Sequence, residues 1–191
     1  IASTFTDRFA QRVASLQLGA EQEYGAEVGA LASAAQLEKM TEHVDDAVGK
    51  GARVVAGGKA RPEIGPFFYE PAVLAEITPE MDVYREETFG PLVSIYPYTS
   101  VDDAVDAVND TEYGLNSSVY CGDTSKGRKI GERLMSGTVN INDGYSSGWG
   151  SLDAPMGGMK ASGVGRRHGR EGLLKYTESQ TVAVRSALAE K

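Results

Sequence analysis

Apolar residues recur at helical spacing along the first part of the chain, with Phe5, Phe9, Val13 and Leu16 on one side and Gly19 closing the run. The period returns after Ser33, where Leu37, Met40, Val44 and Ala47 share a face and Gly51 marks the end, which predicts a second helix. The rhythm then shortens. ARVVAGG over 52–58 reads as a short strand running into glycines. FFYEPAVLAEI over 67–77 has strand composition, although Pro71 demotes part of it to an edge or irregular segment. From residue 92 strands and helices alternate. LVSIYPY is followed by a helix that Ser100 and Asp103 box and Val101, Ala104, Val105 and Val108 stripe; SSVYCG, a helix capped by Thr124, and GTVNIND come next. Short connections between such elements predict right-handed βαβ units and a parallel sheet. The expected fold class is therefore α/β, a layered domain with a mostly parallel sheet flanked by helices.

Residues 144–168 break this order, being rich in glycine and carrying neither period. A loop of that length in a compact domain is functional or disordered, and its Pro155-Met156-Gly157-Gly158 core together with Trp149 favours function. Beyond it, REGLLKYT predicts a short helix and TVAVR a final strand. That strand has no hairpin partner nearby, so pairing with a sheet edge of another subunit is expected.

Composition narrows the classes. With 191 residues, 24% charged and 41% hydrophobic, the chain can form one substantial domain with a real core. A net charge of -8 argues against nucleic-acid and anionic-membrane surfaces, which need clustered Lys and Arg. No apolar run approaches the roughly 20 residues that span a bilayer. The opening IASTFTDRF lacks a signal-peptide pattern, and one cysteine makes no internal disulfide, so a reducing cytoplasm is the expected compartment. The start at Ile1 suggests a piece of a longer polypeptide.

The obvious chemical candidates are weak. Cys121 sits in a strand pattern with neither His43 nor His168 forced near it, and reads as a half-buried core thiol. Two histidines and one cysteine without short spacing make no metal site, and neither a GxGxxG nor a Walker loop occurs. GVGRRHGR could be an anion site or a set of ion pairs within the fold. More unusual is REETFGPLVSIYPY over 85–98. It places two carboxylates, an aromatic ring and a Gly-Pro break at the mouth of a strand, where neither a buried strand nor a simple turn needs them.

EETFGP, SGTVNIND and PMGGMKASGVGRRHGREGLLKYTESQTV resemble, in order and spacing, the C-terminal part of the NAD(P)-dependent aldehyde dehydrogenase superfamily, and look most like its succinate-semialdehyde dehydrogenase branch. The resemblance covers essentially the whole chain. It implies that Glu87 accepts hydrogen bonds from the nicotinamide ribose hydroxyls and that Phe89 packs beside the nicotinamide end of NAD or NADP. A carboxylate can hold two vicinal hydroxyls, and a ring face restrains a ring cofactor without competing for hydrogen bonds. Glu86 is implied to be structural or solvated. The family's cysteine nucleophile attacks the aldehyde to give a thiohemiacetal that passes hydride to the cofactor, and a glutamate base activates the hydrolytic water. The resemblance puts both upstream of Ile1, so no catalytic residue and no metal ligand is expected in this chain.

The same resemblance implies that Asn142 holds backbone geometry near the active site and that Met156 lines the aldehyde tunnel, where many relatives carry Phe. Trp149 and serines such as Ser151 would contact the substrate in a distinctive loop. A carboxylate-tailed aldehyde would also want an arginine, and none is evident there. Arg167 stands where relatives commonly have Glu, which removes a proton-relay carboxylate. Arg166 and Glu178 are expected to form an ion pair near a subunit interface. Residues 1–176 are expected as the C-terminal portion of the catalytic domain and 177–191 as an oligomerisation strand and tail, in a homo-oligomer, dimer or tetramer, that acts on a small aldehyde. The isolated chain is expected to be inactive. Two alternatives stay open, a stand-alone oligomerisation or binding module on the same scaffold and an aldehyde dehydrogenase of another substrate class.

Overall fold

A computed structural model of the chain describes residues 1–20 and 24–185. Two compact units divide the chain, Ile1–Tyr98 and Thr99–Lys191. The boundary falls inside the segment 1–176 expected as one domain.

The first unit is built on three strands, β1 (Arg53–Ala56), β2 (Ala72–Ala75) and β3 (Leu92–Ile95), in the order β1-β2-β3. All four residues of β2 are buried, so the central strand is an unbroken apolar run. Pro71 stands immediately before β2, where its missing N–H costs no ladder bond, and Ala72 N–H donates to Pro91 O at 2.7 Å. β2 and β3 run parallel, with Ala72 opposite Leu92. β1 is antiparallel to β2, because segment 57–71 returns the chain as a loop and no helix carries a crossover there.

Two helices dress this sheet. α1 (Ala2–Ala14) lies against β1 and β2 and buries the small residues Thr6 and Ala10. The aromatic side of its expected stripe is not buried, Phe5 being exposed and Phe9 half-buried, with the two rings stacked at 5.7 Å between centroids. α2 (Ala34–Gly49) begins at Ser33, whose hydroxyl accepts from Gln36 N–H at 3.2 Å. Its buried face carries Met40 and Val44 against Tyr69 and Ala72, and Ala47 against Leu74 and Met81. A short turn of helix, α3 (Asp82–Arg85), leads into the segment that opens β3.

In the second unit α4 (Val101–Asn109) starts with the expected capping box between Ser100 and Asp103. β4 (Asn116–Val119) and β5 (Thr138–Ile141) run parallel, Asn116 opposite Thr138, and α5 (Thr124–Gly131) crosses between them. The cap of α5 is Asp123 rather than Thr124, since the Asp123 carboxylate accepts from Ser125 N–H at 2.9 Å and Lys126 N–H at 3.2 Å. Gly127 and Gly131, one turn apart, let α5 approach the side chains of Ile141 and Val139.

The strands therefore form two short sheets among the described residues, with no pairing from β3 to β4, where one mostly parallel sheet is expected from the sequence. α6 (Ser146–Gly150), a 3-10 turn at Lys160–Ser162 and α7 (Gly169–Leu174) complete the unit. Residues 181–185 are exposed and pair with no strand among the described residues, and the rest of the expected terminal tail, 186–191, lies outside the described residues. No helix among the described residues is long and apolar enough to cross a membrane.

Candidate cofactor corner and glycine-rich loop

Between α3 and β3 the chain turns through Glu86, Glu87, Thr88, Phe89 and Gly90, and α2 grips this corner from one side. Gln36 Nε2 donates to Thr88 O at 2.5 Å, and His43 Nδ1 lies 2.9 Å from Thr88 Oγ1. The other ring nitrogen, His43 Nε2, is 3.4 Å from Glu86 Oε2, which Lys39 Nζ also approaches at 3.7 Å. A Cβ on Gly90 would meet Met40 Sδ at 2.9 Å, so the corner sits close against α2 and a larger residue would have to displace that methionine. The two carboxylates are thus used differently. Glu86 is tied to α2, while Glu87 is exposed and has no hydrogen-bond or ion-pair partner among the described residues.

Phe89 is 78% exposed and its φ is +56°, in the left-handed region that costs a bulky L-residue about 1–2 kcal/mol. An exposed ring on strained backbone contributes nothing to the core of this unit. Beside an unengaged carboxylate it fits a bound group that offers hydroxyls and a flat ring.

The second unit holds the other candidate region. Asn140 on β5 is 4% exposed, and its amide nitrogen is shared among Asn116 Oδ1 at 2.9 Å, Gly144 O at 3.1 Å and Ser117 O at 3.3 Å. Ser118 Oγ donates to the same Gly144 carbonyl at 2.9 Å. Asn142, with φ +57°, accepts from Cys121 N–H at 2.7 Å and donates to Cys121 O at 2.9 Å, a two-point clamp on the segment after β4. Asp143 then organises the loop start. Its carboxylate accepts from Gly144 N–H at 2.8 Å, Ser147 N–H at 2.6 Å, and the hydroxyls of Ser146 and Ser147. These donors, those of Ser147 first, bring its pKa down to about 2.

Trp149 on α6 is half exposed, with Tyr145 at 5.7 Å and His168 at 6.3 Å between ring centroids. Ser151 is exposed, and its carbonyl accepts from Ala154 N–H at 3.2 Å. Met156 is 8% exposed and pairs with Arg167 through both backbone bonds, at 2.7 and 2.6 Å. The Arg167 guanidinium lies 3.9 Å from Met156 Sδ. Lys160 Nζ donates to the carbonyls of Asn109 at 2.7 Å and Thr111 at 2.9 Å, tying the far end of the loop to the end of α4.

One expectation fails. Arg166 Nη1 donates to the carbonyls of Gly158 at 2.9 Å and Gly165 at 2.8 Å, and no ion pair with Glu178 forms among the described residues. Glu178 lies in an exposed segment past α7, while the backbone turns of the glycine-rich loop supply Arg166 with acceptors closer at hand.

Sequence reading also passed over four side chains that hold these regions: His43, Asn140, Asp143 and Lys160. For two of them a signal was available. His43 falls three residues after Met40, on the buried face of α2, and Asn140 is two residues before Asn142, on the same side of a strand.

The sequence profile of the aldehyde dehydrogenase family matches residues 1–182. A Mycobacterium ulcerans protein, assigned by its name as succinate-semialdehyde dehydrogenase [NADP(+)] 2, is 60% identical over 183 residues, covering 96% of this chain and 35% of that one. Among solved structures, succinate-semialdehyde dehydrogenase from Burkholderia pseudomallei superposes with a TM-score of 0.83 at 39% identity, over 91% of this chain and 35% of that chain. An NAD+ complex of aldehyde dehydrogenase from Bacillus cereus gives a TM-score of 0.86 at 34% identity, over 93% of this chain and 35% of that chain. The chain thus spans about a third of the length of the relatives it matches. With the family's sequence profile running almost end to end and a member's fold superposing over 91% of the chain, this chain belongs to the aldehyde dehydrogenase family.

Proposed function

We propose that this chain is the C-terminal part of the catalytic domain of an enzyme that oxidises succinate semialdehyde to the acid with NADP+ or NAD+. The observation that carries the reading is the 60% identity, over 96% of the chain, to a relative whose name specifies that substrate and NADP+. In this reading the cysteine nucleophile, which forms the thiohemiacetal, and the glutamate base reside elsewhere in the full-length polypeptide, and the isolated chain is inactive. The bound coenzyme supplies a hydride acceptor.

This chain's own residues bind and orient. The unengaged Glu87 carboxylate accepts the two ribose hydroxyls, and the exposed Phe89 ring restrains the nicotinamide end. Trp149 and Ser151 border the aldehyde, and Met156 shapes the tunnel wall. The two short sheets extend into the layered, mostly parallel arrangement in the whole enzyme. Segment 177–191 adds a strand to another subunit, with Arg166 and Glu178 near that interface, so that the enzyme is a cytoplasmic homo-oligomer.

A coenzyme and aldehyde screen on the full-length polypeptide tests this. Succinate semialdehyde should be oxidised with a kcat/KM well above that of long aliphatic aldehydes. Preference for the aliphatic series would assign the enzyme to another substrate class.

A further inference from the structure

We infer that His43 is a positioning residue for the coenzyme: through Thr88 and Glu86 it fixes the corner that presents Glu87 and Phe89. The inference rests on the reading of that corner as the ribose and nicotinamide contact. His43 is 3% exposed, yet it projects from a helix whose neighbouring inward residues, Met40, Val44 and Ala47, are all apolar. A buried imidazole needs partners for both ring nitrogens. Nδ1 finds Thr88 Oγ1 at 2.9 Å, and Nε2 faces Glu86 Oε2 at 3.4 Å, so the ring is turned to the residues either side of Glu87.

The corner needs such a hold. Phe89 occupies left-handed backbone, and an L-residue stays there only where its surroundings over-determine it. Gln36 fixes the Thr88 carbonyl, Gly90 closes on Met40, and His43 pins the Thr88 side chain and faces the Glu86 carboxylate. Four side chains of α2, Gln36, Lys39, Met40 and His43, therefore converge on the two residues flanking Glu87 and on Gly90, and none of them engages Glu87. Fixing the flanks and leaving the centre open is the arrangement expected of a support for a ligand contact.

The test uses the full-length enzyme and reads the coenzyme KM, kcat and Tm of Thr88→Val, Thr88→Ser, His43→Leu, Glu87→Gln and the Thr88→Val/His43→Leu double variant. Thr88→Val keeps the shape and removes the hydroxyl. It should raise the coenzyme KM by roughly three- to tenfold, the worth of one hydrogen bond, with kcat nearly unchanged. Thr88→Ser should restore it. The double variant should be no worse than the more affected single, as for two ends of one bond. If His43→Leu does not fold, the Thr88→Val and Thr88→Ser pair still decides the matter. Thr88→Val with a lowered Tm and an unchanged coenzyme KM, alongside a raised KM in Glu87→Gln, overturns the role of His43 and leaves the corner's assignment standing. An unchanged coenzyme KM in Glu87→Gln overturns the assignment itself, and the inference with it.

Discussion

Asp143 shows how one side chain can set a loop. Its carboxylate draws in donors from Gly144, Ser146 and Ser147, and that donor set brings its pKa from an ordinary carboxylate value down to about 2. The sign follows directly. A group with a depressed folded pKa contributes stability above its unfolded pKa of about 3.9, and that contribution is lost as pH falls toward about 2. Trp149 lies six residues on and reports the loop. The emission that Trp149→Phe removes should hold steady down to about pH 4 and change between there and about pH 2. In Asp143→Asn it should already differ at neutral pH. A Trp149 signal indifferent to both acid and Asp143→Asn would mean that this carboxylate does not organise the loop.

At the scale of elements, close backbone approach explains glycines that propensity alone does not. A Cβ on Gly137, immediately before β5, would lie 1.6 Å from the carbonyl oxygen of Gly157. No side chain can move aside, because the obstacle is main chain. Gly137→Ala should therefore cost about 3 kcal/mol, at the upper end for overpacking, and lower the Tm of the full-length enzyme by several degrees. An unchanged Tm would mean that the two segments separate freely.

Much at this scale was legible in the chain itself. Ser33 and the Ser100–Asp103 box mark helix starts that the structure reproduces, and the apolar stripe of α2 names the core residues Met40, Val44 and Ala47. The side of α1 that faces in was not legible. Thr6 and Ala10 are buried there, because the fit against β1 and β2 selects small residues over the aromatic pair. Nor does a pattern of period two announce which strands share a sheet. The antiparallel course of β1 depends on the loop 57–71, whose length alone does not exclude a crossover. The family motifs directed attention to Glu87, Phe89 and Asn142. His43, which holds the flank of Glu87, and Asn140, which holds the Gly144 carbonyl, are fixed by contacts across 45 and 24 positions of sequence. Their inward placement has a local signature, but the partners they take across the chain do not.

At the scale of the whole molecule, the exposed segment after α7 alternates in the manner of a strand, with Val182 and Val184 almost fully open to solvent. Backbone donors and acceptors in such a row find partners when another edge is added. Deleting residues 177–191 from the full-length enzyme should therefore reduce the assembly in sedimentation experiments. A particle of unchanged size would remove the tail from the interface.

The glycine-rich loop is moored at both of its ends. Asn140 and Ser118 hold the Gly144 carbonyl, and the backbones of Gly137 and Gly157 abut. Between these moorings the segment is tied again at Met156 by its backbone pair with Arg167, and 149–153 is exposed at every residue. Changes of composition there cost the strands beneath least, so on the reading proposed above that stretch is where an engineer would begin to retune which aldehyde is accepted.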